Sequence, residues 1–166
     1  MELIYRKADS ADIPELCRIG LASYGRFKET LGDEWKTMEA GVGNPQTYTK
    51  ILETGTGFVC VQNNKLVGMA FLIPKNNKVG FFEAAWSYIR LVGVLPEAAG
   101  QGIAKELTKL CMKRARDTGE EILALHTSEF QNAARHIYET LGFKRLKEID
   151  KIFNKRYWIY TLNLKE

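Results

Sequence analysis

The sequence predicts a mixed α/β (α+β) fold, with six to seven strands in a twisted, mostly antiparallel sheet flanked by helices. Three observations carry this. The hydrophobic period changes along the chain in the order strand, helices, three strands, helix, strand, helix, two strands. Asparagine-containing pairs sit between the β-rich runs, where a tight turn sends the chain back on itself. The 166 residues are 45% hydrophobic, enough for one core, and no repeat, low-complexity segment or Pro/Ser-rich linker divides residues 1–166 into more than one domain.

The elements follow in order. "LIYRKA" reads as a short first strand. Asp9 or Ser10 can cap the helix after it, in which Ile13, Leu16, Cys17, Ile19, Gly20 and Ser23 keep a helical spacing. Residues 24–56 are loosely patterned, with helical pieces over about 33–40 and 46–54 split by "GVGNP". "GFVCVQNNKLVGMAFLIPKNNKVG" holds two β-rich runs around Asn63-Asn64. A second turn at Asn76-Asn77 leads to a long strand over about 84–94, which completes an antiparallel meander. A glycine loop then opens a helix with Ile103, Leu107, Leu110, Cys111 and Ala115 on one face, and Gly119 stops it. "EILALHT" is the next strand, "QNAARHIYETLG" a shorter helix, and "FKRLKEIDKIFNKRYWIYTLNL" closes the chain as two strands around Asn154-Lys155.

Composition narrows the function. The net charge of +4 is spread along the chain without a dense Lys/Arg block, which suits an anionic small molecule and points away from nucleic acid. Three separated cysteines without a CxxC pair argue against a disulfide framework or zinc site and fit a reducing cytoplasm. Two histidines and no clustered carboxylates point away from a metal. "MELIYRKADSAD" lacks the apolar core of a signal peptide, and no apolar run approaches a membrane span.

The stretch "VGVLPEAAGQGIAKEL" carries the first chemistry. A helix N-terminus presents unpaired N–H groups and about half a positive charge, and glycines let backbone approach an oxyanion closely. "AGQGIA" is therefore a candidate phosphate cradle, or simply a glycine turn between strand and helix. No Gly-Lys-Ser/Thr follows, so it is not a P-loop, and no acidic residue at a following strand end makes it a dinucleotide fingerprint.

Two longer stretches, "IRLVGVLPEAAGQGIAKELTKLCMKRA" and "ILALHTSEFQNAARHIYETLGFKRL", resemble the core of the GCN5-related N-acetyltransferase (GNAT) superfamily. That family has a strand ending in V-x-P, a loop (Q/R)-x-x-G-x-(G/A), a helix, a strand, and a helix carrying A-x-x-x-Y-x-x-x-G-F. Here the loop runs from Ala99 to Ala104, and the second helix supplies Ala134, Tyr138, Gly142 and Phe143. The fit covers about residues 88–145. The resemblance implies acetyl-CoA as donor, no metal, and transfer to a primary amine by direct attack in a ternary complex. It implies a pyrophosphate held at Gly100, Gln101, Gly102, Ile103 and Ala104. It also implies a pantetheine arm lying along Val92, Gly93 and Val94, paired with backbone groups of Val92 and Val94.

Two positions depart from the pattern. Ala99 stands where Arg or Gln is usual, removing one side-chain contact to the phosphates, and Gln131, followed by Asn132, stands where the second helix usually opens with Asn. In the catalytic roles, Tyr138 is the expected proton donor to the departing thiolate, against a reading as a core tyrosine. His126, on the strand where some relatives carry a glutamate base, is the candidate base, against a structural histidine. Arg90 and Tyr88 occupy the positions where relatives often place a base, and neither is a good one; Glu83 or a water chain are the alternatives. Strand alternation puts Tyr88, Arg90 and Val92 on one face, where Arg90 either clamps an acceptor's carboxylate or phosphate or closes an internal ion pair. Tyr24, Phe27 and Trp35 fall in the segment that shapes the acceptor site in this family. A small-molecule or amino-acid-like acceptor is expected. A protein or peptide amine, or a coenzyme-binding module without catalysis, are the alternatives, and a homodimer stays open.

Overall fold

The computed structural model describes residues 2–77 and 80–166. Strand β1 covers Ile4–Lys7. Asp9 caps the turn that follows, taking the Ala11 N–H, while Asp12 takes the Asp9 N–H and a two-pronged bond from Arg6. Helix α1, Ile13–Gly25, starts there with Pro14 in its first turn and buries Leu16, Ile19, Gly20 and Ser23. The loosely patterned segment forms three helices: α2 (Lys28–Leu31), α3 (Trp35–Val42) and α4 (Pro45–Thr54), the last capped by Asn44.

Strands β2 (Thr56–Gln62) and β3 (Lys65–Ile73) turn at Asn63 and Asn64, both at positive φ as a tight hairpin requires. Asn76 also sits at positive φ and its N–H bonds Ala84 O; the stretch the sequence reading ran on through Lys78 and Val79 lies outside the described residues there. Strand β4 covers Ser87–Val94 and begins later than the sequence pattern suggests. The reason is local: Trp86 N–H bonds Glu83 O and Ala84 O is taken by Asn76, so residues 83–86 form a turn. Helix α5 (Ile103–Asp117), β5 (Ile122–Ser128) and α6 (Asn132–Thr140) follow. The closing hairpin is β6 (Lys144–Ile152) and β7 (Lys155–Asn163). Its positive-φ residues are Phe153 and Asn154, one position earlier than the expected Asn154-Lys155.

The seven strands run β1-β2-β3-β4-β5-β7-β6. Every neighbouring pair is antiparallel except β4–β5. Gly68 of β3 pairs with Val94, and a Cβ on Gly68 would meet Ile103 and Leu107 of α5; a Cβ on Gly93, the next residue and so the opposite face, would meet Ser23 of α1. Helices α1 and α5 therefore cover opposite faces. That is why β3 is an almost unbroken apolar run, buried on both sides. The outer strand β6 is instead largely exposed and charged, which blunts a free edge. Among the described residues no helix is long and apolar enough to cross a membrane.

Two irregularities open the sheet. The parallel pair β4–β5 is hydrogen-bonded only at Ser87–Leu123 and Tyr88–Ala124, so the strands part beyond that point. On the other edge of β4, Arg90 pairs with Phe71 and Gly93 with Met69, leaving Leu91 and Val92 opposite one residue, with Leu91 at φ 52°. This β-bulge bends the strand away from β5 and resets its alternation after Arg90.

Candidate active site

The parting of β4 from β5 makes a cleft of about 850 Å³, within the size range of small-molecule sites. At one end is the N-terminus of α5. Gly102, at φ 77°, precedes the helix and no side chain caps it; the first intrahelical bond is Glu106 N–H to Gly102 O. The amides of Ile103, Ala104 and Lys105 thus keep their N–H groups for an incoming acceptor atom. Nothing lies within 4 Å of a Cβ built on Gly100 or Gly102, so a cradle stands open in front of those amides. This donor set, backbone N–H groups at a helix dipole with a lysine beside them, fits the pyrophosphate of coenzyme A. Lys105 lines this end and brings the cation that Ala99 does not. The Gln101 side chain faces away, bonded to Gln62 and to Ala98 O, so only its backbone can serve the cradle.

Along the middle, Leu95 N–H bonds Val67 O on the β3 side, and alternation turns the amide groups of Val94 and Val92 to the open side. Val92 O already accepts from the Tyr24 hydroxyl at 3.2 Å. Gly93 is not a cleft residue: its missing side chain lets α1 approach, and a Cβ there would stand 2.6 Å from Ser23 Oγ. Tyr138, on α6, is only 7% exposed yet reaches the cleft wall, and burial pushes its phenol pKa upward. Helix α6 is held to the end of β5 by Gln131, whose Oε1 accepts from Ser128 N–H and Ser128 Oγ. That uses its carbonyl and leaves its NH₂ for a ligand, while Asn132 Oδ1 accepts from Arg135.

The far end is aromatic. His126 lies 4.9 Å from Phe81 and 5.4 Å from Tyr157, centroid to centroid. Burial first, and then the Arg90 charge, lower its pKa to about 4. Among the described residues its buried Nδ1 has no hydrogen-bond partner. Burial and the Arg90 charge both favour the neutral ring and work against the sequence-level expectation of a base titrating near 6.5. Arg90 also opens on the cleft, and among the described residues it forms no ion pair. Tyr88 does not join it. It sits where β4 and β5 are still bonded, is 3% exposed, and sends its hydroxyl to Asn77 O. Trp35 is likewise core, in a second cluster with Leu31, Met38 and Val42, whereas Tyr24 and Phe27 line the cleft. Sequence reasoning missed Lys105, Phe81, Phe130 and Phe153 here; lone residues in loops or first turns carry no periodic signal.

The His126 environment makes a thermodynamic prediction. Between pH 6.5 and about 4 the unfolded chain protonates this imidazole and the folded chain does not, so stability falls as pH drops through that window, by on the order of 3 kcal/mol in all. His126→Gln should flatten that part of the acid limb in a pH series of denaturant melts. An unchanged acid limb would mean that His126 is freely protonated in the fold.

Comparison with known proteins agrees with this architecture. The acetyltransferase (GNAT) family matches residues 25–143, and the chain belongs to that family. It is 29% identical over 96 residues to N-alpha-acetyltransferase 30 of Schizosaccharomyces pombe, covering 58% of this chain and 62% of the relative. It is 45% identical over 100 residues to N-acetyltransferase 8B of Homo sapiens, covering 60% of this chain and 43% of the relative. The chain thus spans less than two thirds of these relatives' lengths. Its fold is shared with the PaiA N-acetyltransferase of Thermoplasma acidophilum in complex with coenzyme A, at a TM-score of 0.78 and 15% identity over 98% of this chain and 99% of that one.

Proposed function

We propose that residues 1–166 form one acetyl-CoA-dependent N-acetyltransferase domain acting on the primary amine of a small-molecule or amino-acid-like acceptor. The observation that carries this is the single cleft that lines up an uncapped helix N-terminus, an unpaired strand edge and a buried phenol. Acetyl-CoA supplies a thioester. The N–H groups of the α5 N-terminus and Lys105 hold its phosphates, and the backbone of Val92 and Val94 pairs with the pantetheine arm. A β4 amide N–H at the bulge stabilises the negative charge that develops on the thioester oxygen. The N–C bond forms as the C–S bond breaks, the amine loses one proton to solvent, and the sulfur leaves as a thiolate that then takes a proton from solvent. Tyr138 donates a hydrogen bond to that sulfur as it leaves. His126, neutral, accepts from the amine and orients it, and water carries the proton out. The three free cysteines suit a cytoplasmic setting.

The test is thiol release from acetyl-CoA against amino acids, polyamines, aminoglycosides and peptides. Release should require an amine. Coenzyme binding by calorimetry with no release for any acceptor would leave a binding module and sink the catalytic reading. The pH profile is a further prediction. With His126 unprotonated above about 4, kcat/KM should rise with pH towards the acceptor amine's own pKa and show no break near 6.5. A break there that His126→Gln abolishes would restore His126 as the base.

A further inference from the structure

The acceptor end of the cleft restricts what can be acetylated, and this inference rests on the acetyltransferase reading. Three cations line the cleft, Arg26, Arg90 and Lys105, and no Asp or Glu does among the described residues. Lys105 belongs to the first turn of α5, at the donor end. Arg26 lies at the rim, its guanidinium 4.9 Å from the centre of the Phe27 ring. Arg90 stands on β4 directly before the bulge, its charge felt at His126, and among the described residues it forms no ion pair. An unpaired guanidinium in a largely apolar chamber is costly, so an incoming carboxylate gains both charge neutralisation and two parallel N–H···O bonds.

The chamber around it is aromatic. Phe27, after α1, meets Phe130, after β5, edge to face at 4.9 Å. Phe130 lies 6.1 Å from Tyr157. Phe153 stands 6.5 Å from Tyr157, on a hairpin turn where it adopts φ 52°, a conformation that bulky residues reach only when the surroundings hold them there. These rings give an apolar side chain a surface to pack on beside Arg90.

We infer that the acceptor is a small α-amino acid with an apolar or aromatic side chain, its carboxylate on Arg90, its side chain among Phe81, Phe130, Phe153 and Tyr157, and its amine directed at the β4 bulge. A polyamine or a lysine side chain brings positive charge into a cleft that already holds only cations, with no carboxylate to receive it.

The experiment measures kcat/KM with acetyl-CoA for leucine and phenylalanine, their amides, phenethylamine and spermidine. It uses the native protein, Arg90→Ala and Arg90→Lys. It also measures phenylalanine binding to the CoA-loaded proteins by calorimetry. The native protein should prefer the free acids to the amides at least tenfold. Arg90→Ala should cost the acids ten- to a hundredfold more than the amides, and Arg90→Lys should restore part of the preference, since it keeps the charge and loses the fork. Equal rates for acids and amides, or a preference for spermidine, would overturn the inference while leaving the acetyltransferase reading intact. If no amine releases thiol, the acetyltransferase reading fails on its own, and calorimetry decides: phenylalanine binding weakened by Arg90→Ala supports the carboxylate site, and absent or unweakened binding overturns it.

Discussion

Gly102→Val should reduce coenzyme A affinity by more than a hundredfold. Two causes act together. At φ 77° a β-branched residue is strained, by roughly 1–2 kcal/mol, and the chain before α5 tends to relax to negative φ. A Cβ with two methyl groups also enters the open space in front of the Ile103 and Ala104 amides, where the pyrophosphate would sit. The two are separated by Gly102→Asn, which tolerates left-handed backbone but still adds a side chain. Calorimetric titration with coenzyme A should rank native protein far above Asn and Asn above Val, with cooperative unfolding retained in all three. Unchanged affinity in both variants would place the phosphates elsewhere.

Tyr138→Phe should leave coenzyme A affinity within a few-fold and lower the chemical step about ten- to a hundredfold, the worth of one hydrogen bond to a charged sulfur. The ring is 7% exposed and packs 6.0 Å from Phe143, so phenylalanine keeps its shape and its place in the core. Burial raises the phenol pKa above its ordinary value, so no Tyr138 ionisation should appear in the alkaline limb. Single-turnover acetyl transfer under saturating donor reads the effect directly. Full turnover would remove Tyr138 from the chemistry, and loss of cooperative folding would make it a core residue.

The elements themselves were legible because periodicity is local. The apolar run of β3, the spaced face of α5 and the Asn63-Asn64 turn each announce themselves within a few residues. So does the cradle, since glycines before a helix leave its first amides free whatever surrounds them. The start of β4 was misplaced because the competing bonds of residues 83–86 involve Asn76, which a strand pattern does not register. Tyr88 and Arg90 share a strand face, yet one is sealed where β4 still pairs with β5 and the other lies past the parting.

By itself, then, the sequence determined the strand and helix inventory, the glycine loop that opens α5 and the tyrosine on α6, all signals carried by neighbours along the chain. Only the tertiary structure decided the bulge at Leu91, the burial that lowers the His126 pKa and the gathering of Phe27, Phe130 and Phe153 around one chamber. Those depend on sums over residues far apart in sequence. A bulge follows from β3 register, a pKa from total burial and the nearest charge, and the absence of an Arg90 ion pair among the described residues from which acids the fold leaves outside the cleft.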